Sequence, residues 1–137
     1  MNGATRDNIA QPIWEGLFGE DTEGPFLLGG RCGACNFVTL GVRDICPECW
    51  TRGSMTMVPI GRRGRVYTAT VVHQVPQGYD GPFAVGYVDV ENGVRVFAHV
   101  GREPSALKPG TKVRLTVAPM RNDKDGTSLI GPLYVTE

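Results

Sequence analysis

Apolar positions along the chain change period twice. Across residues 8–18, Ile9, Ile13, Trp14, Leu17 and Phe18 recur at helical spacing and predict a short amphipathic helix. Asp7 is placed to cap it, and Pro12 limits its regularity near the start. That stripe holds a Trp and must bury itself, on the chain's own body or on a partner. Phe26-Leu27-Leu28 and Thr56-Met57-Val58-Pro59 then bracket a stretch with neither helical nor strand period. After Gly61-Arg62-Arg63-Gly64 the pattern turns to β. Residues 65–75, 83–90, 94–100, 112–120 and 128–135 read as strands, and Asn92-Gly93 between the second and third is a hairpin signal. Residues 104–107 are expected to make one helical turn after the third strand. Five strands with a short insertion there predict a small Greek-key barrel of the OB type.

The unpatterned stretch contains all four cysteines of the chain. Cys32-Gly33-Ala34-Cys35 and Cys46-Pro47-Glu48-Cys49 are two C-x-x-C turns with ten residues between them. Two such turns facing each other supply four thiolates at the corners of a tetrahedron, the ligand set of a structural zinc. A rubredoxin-type iron site uses the same ligands, and two disulfides are the remaining alternative. With every corner filled by sulfur, no position stays open for water or substrate, so the metal is expected to hold structure rather than do chemistry. Asn36 and Trp50 follow the two second cysteines, where the backbone wants φ > 0. Asn tolerates that conformation and Trp does so poorly, so the second knuckle is expected to be the less regular. The lobe is too small for a core of its own, and metal binding worth about 10–16 kcal/mol would replace one. The organisation expected is mainly β: an N-terminal helical segment over residues 1–25, a rubredoxin-like zinc ribbon over 26–60, and a five-stranded OB-fold over 61–137.

Composition narrows the functional classes. Lys+Arg and Asp+Glu both number 14, so no net charge draws the chain to nucleic acid or to an anionic membrane. No apolar run approaches the ~20 residues of a membrane span. Nineteen glycines and ten prolines fit a turn-rich β protein. The first 25 residues lack the basic and apolar regions of a secretory signal, and the chain is read as cytoplasmic. No nucleophile–base set is visible. The cysteines are committed to metal, and no G-x-S-x-G, Walker or dinucleotide-binding glycine pattern is present. His73 and His99 fall on predicted strands, where structural or rim positions are the rule.

Particular segments carry a resemblance. They are Ile13-Trp14-Glu15-Gly16-Leu17, Arg31-Cys32-Gly33-Ala34-Cys35, Cys46-Pro47-Glu48-Cys49, the run from Gly64-Arg65-Val66-Tyr67 to Val72-His73, Pro82-Phe83-Ala84-Val85-Gly86-Tyr87-Val88 and Gly93-Val94-Arg95. In that order they resemble the OB-fold/zinc-ribbon family long catalogued as domain of unknown function 35. The resemblance implies a non-catalytic accessory subunit of a thiolase-superfamily acyl-CoA enzyme: a thiolase, an acyltransferase or an aldolase. It implies a structural Zn2+, a CoA or acyl-CoA site completed jointly with the catalytic partner, and a heterotetramer with two copies of each chain. On that reading Arg62, Arg63 and Arg65 are candidate contacts for CoA phosphates, since guanidinium forks bind such groups in pairs. Trp14, Leu17 and Tyr79 are candidate anchors at the partner interface. Asn36, Trp50 and the bulky Phe26-Leu27-Leu28-Gly29-Gly30 depart from the family pattern on the ribbon surface. Two further classes stand beside this reading. A single-stranded nucleic-acid module would stack bases on Tyr67, Tyr87 and Phe97, against the neutral charge. A stand-alone enzyme lacks recognisable machinery.

Overall fold

Ten strands run along the described residues of this computed structural model, which are 11–12, 17–79 and 81–137. They are β1 Gln11–Pro12, β2 Phe18–Asp21, β3 Gly24–Cys32, β4 Val38–Leu40, β5 Met55–Ile60, β6 Arg63–Val72, β7 Phe83–Asp89, β8 Arg95–Val100, β9 Lys112–Asn122 and β10 Ser128–Thr136. No α-helix occurs among these residues.

Strands β6 to β10 close into the barrel that the alternation predicts. Antiparallel pairs β6–β7, β7–β8, β9–β10 and β6–β9 are joined by a short parallel contact between β8 and β10, where Leu133 faces His99 and Tyr134 faces Val100. The inner face follows directly from sequence. Val96, Ala98 and Val100 of β8 are buried and alternate with outward-facing Arg95, Phe97 and His99, and Val113 and Leu115 of β9 are buried and alternate with exposed Lys112 and Arg114. Asn92 and Gly93 take φ of 61° and 72° in the β7–β8 turn, the two positive values that a tight hairpin of this twist requires. One glycine is dictated by close approach. The β6 bulge between Val66 and Thr68 brings the Thr68 carbonyl over Gly86, so a Cβ there would lie 2.2 Å from that oxygen.

Strands β2 to β5 form a second sheet built on β3, which pairs with each of the others. Its base joins the barrel core: Leu27, Val38 and Ile60 belong to one buried cluster with Val66, Val88, Val113 and Tyr134. The junction is pinned at Gly61. Buried Tyr134 donates its hydroxyl to the Gly61 carbonyl at 2.6 Å, and the Gly61 amide donates to Glu91 Oε1 at 2.9 Å. Gly61 has φ of 76°, and a Cβ there would meet Tyr134 Oη at 2.7 Å.

Two expectations are corrected. The described parts of the predicted N-terminal helix are extended: Gln11–Pro12 runs parallel to Leu129 and Ile130, and Phe18 opens β2 opposite Leu27. Strand partners take up the backbone groups there, and Pro12 has no amide to give a helix. Leu17 is a bend just before β2, and residues 8–10 and 13–16, Trp14 included, lie outside the described residues. The helical turn over residues 104–107 is also absent. The connection is irregular, with Ser105 N bonded to Glu103 O at 2.7 Å while Leu107 packs on the core. Pro109 disfavours helical backbone at Lys108 and so closes off continuation of the turn.

Candidate metal centre and surrounding surfaces

The two C-x-x-C turns face each other at the far end of the β3–β5 sheet. Cys32 ends β3, opposite Met55 of β5, and the amide of Gly33 donates to the Ser54 carbonyl at 2.8 Å. The second turn is held by a bridge between Ile45 and Arg52 and by Cys46 N bonded to Thr51 O at 3.0 Å. Each knuckle closes in the same way. Asn36 N returns to Cys32 O at 2.9 Å, and Trp50 N returns to Cys46 O at 2.9 Å, both residues with φ of 66°. The second knuckle is therefore as regular as the first, contrary to expectation. Trp50 carries the left-handed strain instead, on the order of 1–2 kcal/mol for a residue with a Cβ.

The sulfurs fit a tetrahedral ion. Cys32 and Cys49 are 3.7 Å apart, Cys35 and Cys46 likewise, and all four sulfurs lie within 4.8 Å of one another. Zinc–sulfur bonds near 2.3 Å give tetrahedral edges of about 3.8 Å. A disulfide needs sulfurs at about 2.05 Å, so the cluster is an unbonded cage. Hydroxyls prepare it for charge. Ser54 Oγ lies 3.1 Å from Cys32 Sγ, and this hydrogen bond, against desolvation, holds that thiol down to about 6. Thr51 Oγ1, 3.2 Å from Cys49 Sγ, lowers that thiol too. A backbone hydrogen bond from Phe37 lowers Cys35, but desolvation and the sulfurs of Cys49, Cys32 and Cys46 push it up to about 12. A divalent cation in the cage would replace that retained proton. Ser54 and Thr51 were missed by sequence reasoning. The signal was a pair of hydroxyl residues two and five positions after the fourth cysteine.

The three arginines separate. Arg62 turns toward the β2–β3 hairpin, donating to Asp21 Oδ2 at 2.5 Å and Gly24 O at 2.8 Å and lying 5.0 Å over the Phe26 ring. This partnership holds the Asp21 carboxyl below its ordinary range and raises the Arg62 guanidinium. Arg63 and Arg65 point to the outer face, where β9 sets Arg114 opposite Arg63 and Lys112 opposite Arg65. Arg63 pairs with Glu137, and Arg65 donates to Gly110 O at 3.3 Å.

Leu17 and Tyr79 come together. Both line a groove of about 340 Å³ with Val85, Phe97, His99, Met120, Arg121 and Pro132. His99 is half-buried there, its ring 4.6 Å from Phe83 and stacked 6.0 Å from Tyr79, and desolvation lowers its pKa. His73 lies exposed just beyond β6. On the outer face of β6–β8, exposed Tyr87 and Phe97 pack at 5.2 Å, and Arg95 sits 3.5 Å over Tyr67 while paired with Asp89 at 2.6 Å.

A family model of the ChsH2 C-terminal OB-fold domain matches residues 57–118, from β5 through most of β9. Over 110 residues the chain is 32% identical to the benzoylsuccinyl-CoA thiolase subunit BbsA of Thauera aromatica, covering 80% of this chain and 76% of the relative. It is 28% identical over 102 residues to a DUF35 domain-containing scaffold protein of Methanocaldococcus jannaschii, covering 72% of each. The chain belongs to the DUF35 OB-fold family of thiolase-associated subunits. Among solved structures, the Ltp2-ChsH2(DUF35) aldolase aligns with a TM-score of 0.64 at 25% identity, over 81% of this DUF35 chain and 84% of that one. Coverage on that scale takes in ribbon as well as barrel, since the barrel strands begin only at Arg63.

Proposed function

We propose that this chain is a non-catalytic, zinc-stapled accessory subunit of a thiolase-like acyl-CoA enzyme. It stabilises the catalytic subunit and helps complete the CoA or acyl-CoA site. One observation carries the reading: a chain related along most of its length to a thiolase subunit has all four of its cysteines gathered in the metal cluster. Thiolase-type chemistry needs a free thiolate, and this chain offers none. The nucleophile and any general base belong to the partner. When zinc is bound, Cys32, Cys35, Cys46 and Cys49 would hold it, and its contribution is folding energy for the ribbon.

On this reading Arg65, Lys112 and Arg114 would meet CoA phosphates, with Arg63 joining them on leaving Glu137, while Arg62 serves the fold. Leu17 and Tyr79 mark one side of the partner interface. A two-fold catalytic dimer presents two equivalent surfaces, giving a heterotetramer with two copies of each chain in the cytoplasm. The nucleic-acid reading draws on Tyr67, Tyr87 and Phe97, but the cation among them, Arg95, is already paired with Asp89.

Acyl-CoA turnover by the isolated chain, the catalytic subunit and the reconstituted pair tests the assignment. The chain alone is expected to be inert, and its addition to raise kcat/KM or the lifetime of the catalytic subunit. Turnover by the chain alone, or no effect on the partner, would contradict it.

A further inference from the structure

The two knuckles are built alike, bond for bond. In each, the amide after the second cysteine returns to the first cysteine's carbonyl, Asn36 to Cys32 and Trp50 to Cys46, both at 2.9 Å. The first cysteine's amide donates to the carbonyl of Phe37 at 2.9 Å in one and of Thr51 at 3.0 Å in the other. Each first sulfur accepts an amide two residues on, from Ala34 at 3.3 Å and from Glu48 at 3.4 Å. Phe37 and Thr51 thus hold the same station, two residues past the second cysteine. There the knuckles differ. Thr51 sets its hydroxyl 3.2 Å from Cys49 Sγ, and Phe37 has no hydroxyl to offer Cys35.

The four sulfurs are therefore unequal. Cys32 and Cys46 are fully buried. Cys32 Sγ has the Ser54 hydroxyl at 3.1 Å besides the Ala34 amide, and Cys46 Sγ accepts from the Glu48 amide and from the Cys49 amide at 3.5 Å. Cys49 is half-buried and has both the hydroxyl and the amide of Thr51. Cys35 is exposed, and apart from the neighbouring sulfurs its partner among the described residues is the Phe37 amide. Hydrogen bonds draw charge off a thiolate, and nucleophilicity falls with basicity. Access decides which sulfur a reagent can reach. At Cys35 both factors act in the same direction.

We infer that Cys35 is the reactive corner of the metal-filled cage, the site of covalent modification by soft electrophiles of the α,β-unsaturated carbonyl class. Its sulfur bonds to the β-carbon as the C=C π pair moves toward the carbonyl oxygen. Water then protonates the resulting enolate and leaves as hydroxide. The product is a neutral thioether, so the cage keeps three thiolates and its hold on the ion weakens. Modification of one exposed sulfur thereby reaches the fold of the whole ribbon. The inference uses atoms of the ribbon alone and does not rest on the accessory-subunit reading.

The zinc-loaded full chain is treated with N-ethylmaleimide over a range of concentrations. Labelled cysteines are assigned by fragmenting tryptic peptides 32–43 and 44–52, each of which carries one knuckle, while a chromogenic chelator follows released zinc. Cys35 is expected to label about fivefold faster than Cys49 or more, at a rate proportional to reagent, with zinc release following and Cys32 and Cys46 reacting only afterwards. Thr51→Val should speed labelling of Cys49 by about threefold, and Phe37→Thr, which supplies the missing hydroxyl, should slow Cys35 by a similar factor. Zinc content is measured for each variant, and Phe37→Thr decides the matter if Thr51→Val fails to load. Equal labelling of Cys35 and Cys49 in the wild type, or first labelling at a buried sulfur, overturns the inference. So does a rate independent of reagent, which would mean that the ion leaves first, or wild-type rates in the loaded variants.

Discussion

Single side chains separate what holds this fold from what its surface offers. Tyr134 sits fully buried where ribbon meets barrel, and its hydroxyl is the donor to the Gly61 carbonyl. Replacing it with Phe should lower unfolding free energy by about 1–3 kcal/mol, because a buried acceptor loses its partner. A denaturant titration checks this, and a loss under about 0.5 kcal/mol would place the junction's strength elsewhere. The histidine in the groove makes a pH prediction. Desolvation disfavours the His99 imidazolium, so its folded pKa lies below the ordinary 6.5. As pH falls, the unfolded chain takes up that proton first. The stabilisation from neutral His99 is complete above the unfolded value and is lost as pH drops from there through the folded one. An NMR titration should find the His99 ring protonating below 6.5, and a midpoint at or above that value would contradict the packing described.

Elements show where the sequence was readable. The five barrel strands and the turn at Asn92-Gly93 were legible, because a closed barrel imposes strict inside–outside alternation and the turn imposes its own chemistry. The four metal ligands were legible because two C-x-x-C turns have few other uses. Three features were not. The apolar positions before Phe18 carry a helical period, yet Gln11–Pro12 and Phe18 pair as strands, since tertiary partners outweigh a short periodic stretch. Gly61 gave no sign that Tyr134 and Glu91, far along the chain, would converge on it. The adjacent arginines looked like one patch, but Arg62 lies in the bend before β6 and turns to the β2–β3 hairpin, while alternation along β6 keeps Arg63 and Arg65 on one face. The ribbon itself yields a prediction. Its tip exposes Val42, Ile45 and Trp50, while its base shares the barrel core. Chelation of the metal should collapse the amide signals of residues 32–54 and leave the β6–β10 signals near their native positions. Concerted loss of both sets would show that the barrel depends on the metal as well.

At the scale of the whole molecule, a sheet tipped by the cysteine cluster and a closed barrel share one core and leave apolar side chains exposed at the knuckle tip and an open groove beside Tyr79. All four cysteines are gathered in one cluster, and the described residues contain no helix long and apolar enough to cross a membrane. On the proposed reading the chain acts by being held against a larger catalytic subunit. Native mass spectrometry of the complex purified from its own host measures that directly. The account predicts a thiolase-fold chain in equal copy number, two of each, with one zinc per copy of this subunit. A lone chain, or one carrying nucleic acid, would leave the fold standing and contradict the function.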